Sequence, residues 1–136
     1  MNLFLQTKEF CKMNKYGILI VRILLGGLMF LHGLQKFTNG IGGTVQFFES
    51  LGIPGFMGYI VASIELVGGL ALAFGVLVPY VSALFIGILG VAIVTVKLSD
   101  GFLGGFEPEF VLVVLAVVTL ITGPLKKVFQ FMPSDK

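Results

Sequence analysis

The sequence predicts an all-α integral membrane protein, a bundle of four transmembrane helices with its N and C termini in the cytoplasm. Hydrophobic residues make up 57% of the 136 and charged residues only 12%, against roughly half and a quarter in a soluble domain. A mean hydropathy of +1.05 leaves too little polar surface for water. The apolar residues also fall into four separate segments, each near the ~20 residues that cross a ~30 Å hydrocarbon core.

The first span covers about residues 16–34 and follows Lys8, Lys12 and Lys15. A charged start followed by an apolar run resembles a signal peptide, but Gln35-Lys36-Phe37 offers no small-residue cleavage site, so the span is expected to be retained. The second covers about 55–74 and the third about 80–96. Gly75 between them suits a helix stop and Pro79 a helix start. The fourth covers about 108–122, with Pro108 in its first turn and Glu107 and Glu109 at the favourable end of its dipole. In the loop after span one, Thr44 is expected to cap a short surface helix that puts Val45, Phe48 and Leu51 on one side and stops at Gly52 and Pro54.

Four spans put both termini on one side. The tails carry Lys8, Lys12, Lys15, Lys126, Lys127 and Lys136, and the first and third loops only Lys36 and Lys97. The positive-inside rule therefore places the tails in the cytoplasm, in a cell membrane of bacterial type. The expected organisation is a cytoplasmic segment 1–15, a transmembrane domain 16–124 and a cytoplasmic tail 125–136.

Composition also narrows the chemistry. One cysteine, Cys11, excludes an internal disulfide and a cysteine-built zinc or iron–sulfur site, and the single His32 cannot build a haem pair or a conventional zinc site without carboxylates or a partner. No metal or covalently held cofactor is expected, so any redox group is diffusible, a quinone being the candidate. A net charge of +2 spread around apolar spans argues against nucleic acid. Phosphate-binding and nucleophile-elbow motifs are missing from the sequence.

Ionisable groups inside lipid cost about 2.5–3.5 kcal/mol at a helix centre on insertion scales, which makes them functional candidates. Arg22 and Glu65 are of this kind, while His32, Lys36 and Lys97 lie near the outer ends of their spans. At 100° per residue Arg22, Gly26, Met29, Gly33 and Lys36 share a face, with His32 at its edge; Gly58, Ala62, Glu65, Gly69 and Ala73 share another; Ala83, Gly87, Gly90, Val94 and Lys97 a third. Small residues allow close helix approach, so these three faces are expected to meet inside the bundle.

On that reading Glu65, Arg22, His32, Lys36, Lys97 and Glu107 are candidates for ligand binding or proton relay in a polar pocket opening outward. The alternatives are that Arg22 snorkels to the inner interface and that Lys36 and Lys97 are interfacial anchors. Glu65, short and near mid-span, must be paired, hydrated or neutral. A salt bridge to Arg22 is one possible pairing but not the obvious one, since antiparallel helices tilt the two side chains in opposite directions.

Arg22-x3-Gly26 leading to His32-Gly33-Leu34-x-Lys36-Phe37, FFESLGIP over 47–54, IELVGG over 64–69 and GGFEPEF over 104–110 together resemble the DoxX family of small four-helix membrane proteins, over about residues 16–124. The resemblance implies a membrane component of redox metabolism. The family's name traces to a subunit of a thiosulfate:quinone oxidoreductase, and members are associated with oxidative-stress defence and with quinone or catechol response. The family commonly carries a histidine near the outer end of the third span, where this chain has Lys97. The implied function is an oxidoreductase subunit that binds a quinone-like or thiol-reactive small molecule and works with a partner enzyme. The alternatives are a proton-coupled or metabolite transporter and a membrane anchor that recruits soluble redox enzymes through Lys126-Lys127.

Overall fold

The computed structural model describes residues 2–122, and of these the side chains of residues 10, 11 and 96–98 lie outside the description. Five α-helices are present: α1 Asn2–Thr38, α2 Ile41–Ser50, α3 Phe56–Phe74, α4 Val78–Ala92 and α5 Glu107–Thr122. With the turns that extend α4 to Thr95 and begin α5 at Phe102, four of them are long and apolar enough to cross a membrane. The four-span bundle read from the sequence is therefore the fold.

Several boundaries differ from expectation. The first helix is continuous from Asn2 to Thr38, 37 residues instead of 19, because nothing between residues 2 and 15 breaks it: there is no glycine or proline before Gly17. The short helix starts at Ile41, with Gly40 in a left-handed conformation (φ 96°) before it. Thr44 is thus an interior residue and not a cap, and it lies against Gly58. The third span passes through a π-helical turn at Ile93–Lys97 and a 3-10 turn at Leu98–Asp100.

Other signals hold. Gly75 ends α3 in the left-handed region (φ 84°), its N–H and that of Val76 donating to Leu72 and Ala71 carbonyls, the arrangement glycine permits without Cβ strain. Pro79 sits in the first turn of α4 and Glu107 and Glu109 in that of α5. Before α5, Phe102, Phe106 and Phe110 stack edge to face with centroids 5.2 and 5.6 Å apart.

The bundle is built from two antiparallel pairs, α1 with α3 and α4 with α5, and α1 also touches α5. Glycine sets the first pair. A Cβ on Gly26 would lie 2.6 Å from the Gly69 carbonyl oxygen, one on Gly33 2.5 Å from the Leu66 nitrogen, and one on Gly69 2.5 Å from the Phe30 nitrogen, so the two backbones are in contact. The second pair buries Val81, Phe85, Leu89, Leu112 and Ala116 and joins the Ser82 and Thr119 hydroxyls at 2.6 Å.

The face expected for the third span is overturned. Ala83, Gly87 and Val94 are exposed, and α4 buries its bulkier side through Phe85 and Leu89. Small residues permit close approach on whichever helix carries them. Here Gly68 on α3 supplies the space, and the Phe85 ring packs 3.1 Å from where its Cβ would be, so α4 has no need to offer its own small face. Beyond that contact, toward the end of the bundle that carries α2, residues of α3 and α4 line a cavity.

Candidate functional site

Glu65 lies at the middle of α3, 4% exposed. Its partner is Lys36, whose Nζ donates to Glu65 Oε2 at 2.5 Å. Helix geometry explains the choice. Gly33 meets Ala62 and Leu66, while Gly26 meets Gly69 and Ala73, so Lys36 stands about one turn nearer the α2 end than Glu65. Side chains lean toward the start of their own helix. On antiparallel α1 and α3 this tilts Lys36 and Glu65 toward each other, and Lys36 is not merely an interfacial anchor.

The same rule places Arg22 elsewhere. It falls level with the end of α3, about 15 Å along the axis from Glu65 at 1.5 Å per residue, and leans away. Its Nη2 donates to the Ala73 carbonyl at 3.5 Å, in the last turn of α3 where a cation complements the helix dipole. Arg22 is 3% exposed, so it neither joins the Glu65 pocket nor snorkels to water.

The remaining candidates are not gathered with Glu65. His32 is exposed, about 100° around α1 from the Gly33 contact. Glu107 is exposed in the first turn of α5. Neither lines the cavity described below. The side chain of Lys97 and the tail with Lys126 and Lys127 lie outside the described residues. Among the described residues no three His, Cys, Asp or Glu side chains group as a metal would require.

A cavity of about 630 Å³ opens beside the ion pair, within the range of small-molecule sites. Lys36 and Glu65 are its charged residues. Thr44, Phe47 and Phe48 of α2 with Leu51 just after it line one side, Met57 and Val61 of α3 the next, and Ala83, Leu84, Gly87, Ile88 and Val91 of α4 the third, with Thr95 just beyond α4. Of the six candidates expected to share a polar pocket, Lys36 and Glu65 line this cavity, which is mostly apolar, with one charged point instead of a polar lining. Sequence reading missed the contribution of α2, for which the aromatic pair Phe47-Phe48, one helical turn before Leu51, was the available signal; on α4 it named Ala83 and Gly87 but not Leu84, Ile88 and Val91.

This is a four-span α-helical membrane protein with an ion pair at the edge of an apolar cavity. The chain belongs to the DoxX family, whose model matches residues 17–98. It is 43% identical over 114 residues, 82% of this chain and 84% of the relative, to the protein of Bacillus subtilis (strain 168) named "Putative oxidoreductase CatD". It is 44% identical over 66 residues, 48% of this chain and 50% of the relative, to "Inner membrane protein YqjF" of Escherichia coli (strain K12). No solved structure matches the chain.

Proposed function

We propose that the protein is the membrane component of a bacterial redox system and binds a quinone-like molecule in the cavity at Lys36 and Glu65. The observation that carries this reading is the ion pair itself, 2.5 Å across and set against an apolar wall. A quinone needs an apolar berth for its ring and a donor for a carbonyl oxygen, and its reduction to quinol consumes two electrons and two protons. Lys36 supplies the donor and the Glu65 carboxyl a site for proton exchange. Electrons come from a partner enzyme. The name of the Bacillus subtilis relative supports an oxidoreductase role.

The test is binding of a quinone analogue to the purified protein in lipid nanodiscs. Saturable binding that weakens at least tenfold in Glu65→Gln and in Lys36→Met is expected, roughly the loss of one charge-assisted contact. No binding to wild type, or identical binding by all three proteins, refutes the reading.

A further inference from the structure

The cavity has an asymmetric wall. Against α3 it is closed, because α2 packs on the start of that helix: a Cβ on Gly58 would lie 3.3 Å from the Thr44 methyl, and one on Gly55 2.7 Å from the Val45 side chain. Toward the Gly75 turn it is closed by Phe85 seated on Gly68. Between α3 and α4 it is not closed. There Ala83, Leu84, Gly87 and Val91 line the cavity and each is exposed, so the α4 wall is open and not packed over, and a Cβ added at Gly87 would meet nothing within 4 Å.

Gly87 lies near the middle of a membrane-spanning segment, Val78–Thr95. What lies outside such a seam is hydrocarbon and not water. The rest of the surface follows the same chemistry: the residues facing outward beside the seam, Leu84 and Val91, are apolar and about half exposed, whereas the charged groups lie at the inner wall.

We infer that the cavity takes a chain-bearing amphiphile sideways from the lipid through the seam between α3 and α4, with an oxygen-bearing head at Lys36 and the chain leaving across Gly87. The inference rests on the quinone reading for the head but is independent of it for the chain. It assigns the occupant to lipid-partitioned molecules and sets aside water-soluble ones. Charge complementarity orients it, since a head that accepts a hydrogen bond is drawn to the Lys36 ammonium and the chain has only apolar surface to follow. Gly87 then has a use that helix packing does not give it: with a side chain there, the exit would be filled.

The experiment compares two ligands and two variants in nanodiscs, a benzoquinone analogue with a decyl chain and the same ring without it. Gly87→Leu fills the seam and Gly90→Leu adds the same bulk on the same helix outside the cavity lining; both sites have room for a Cβ, and leucine favours the helix over glycine. Gly87→Leu is expected to weaken the decyl analogue at least tenfold and the chainless ring less than about twofold, with Gly90→Leu like wild type. In parallel, a decyl alcohol carrying a photoreactive diazirine in its chain is expected to label wild type on the α4 stretch 83–91, and Gly87→Leu at least about fivefold less.

Equal affinity of wild type and Gly87→Leu for the decyl analogue overturns the inference while leaving the quinone reading intact. If neither ring binds wild type, the quinone reading fails and the labelling decides the seam: labelling lost in Gly87→Leu upholds it, and labelling indifferent to Gly87 overturns it. A Gly87→Leu protein that changes from dimer to monomer with unchanged labelling would place a second copy of the chain on this face and also overturns it.

Discussion

Lys36 and Glu65 are the pair on which the site depends, and their burial is unequal: the Lys36 side chain is 30% exposed and that of Glu65 5%. Removing the lysine strands a carboxylate that has little access to water. Breaking a fully buried pair costs about 3–5 kcal/mol, and the partial exposure of Lys36 reduces the expected loss for Lys36→Met to about 1–3 kcal/mol. Thermal unfolding followed by circular dichroism should show Lys36→Met melting several degrees lower and Lys36→Met/Glu65→Gln recovering most of the loss. A double variant as unstable as the single would mean that Lys36 contributes packing and not charge. The pairing was within reach of the sequence. Sequence reading used side-chain tilt to disfavour Arg22 as the partner of Glu65, and the same tilt applied to Lys36, fourteen positions further along α1, selects it. What the sequence could not supply was the register of α1 on α3, which is fixed by which glycines touch.

Helices α1 and α3 illustrate how far a face can be read from spacing. Arg22, Gly26, Met29 and Gly33 on one, and Gly58, Ala62, Glu65 and Gly69 on the other, are all buried, as their 3.6-residue rhythm predicts. On α4 the same reasoning chose the wrong side, since the rhythm of Ala83, Gly87 and Gly90 is equally regular and only the partner's shape decides which face is used. Substitution separates the two kinds of glycine. Gly69→Ala forces a methyl into the Phe30 backbone and Gly33→Ala into that of Leu66, each at about 2.5 Å, so each should lower the melting temperature by at least several degrees, a cost of overpacking of about 1–3 kcal/mol. Gly87→Ala, with open space around it, should be neutral or slightly stabilising because alanine is the better helix former. Equal losses at all three positions would sink the assignment of α1 and α3 as the close-packed pair.

At the scale of the whole molecule, the number of spans and the side of the membrane rest on different features of the sequence. Span number follows from apolar length alone, whereas orientation rests on where lysines fall. In a protein with Cys11→Ser, a cysteine placed at Ser50, the last residue of α2, is expected to react with a membrane-impermeant maleimide on intact cells, and one placed at Val76 in the Gly75 turn only after the membrane is opened. The reverse pattern would invert the molecule and move the cavity to the cytoplasmic half. The mixed shape of the site was the least legible part, because it is a gap between elements and no residue's own preference encodes a gap.

The turn at Gly75 makes α3 and α4 a pair of tweezers joined at one end. From that joint to Met57 is eighteen residues, an arm of about 27 Å at 1.5 Å per residue, so each degree of change in the angle between the arms shifts the tip by about 0.5 Å. A spreading of about six degrees would therefore widen the tips by roughly 3 Å, close to the half-thickness of an aromatic ring on each side, and by only about 1 Å at Gly68, seven residues from the joint, where Phe85 sits.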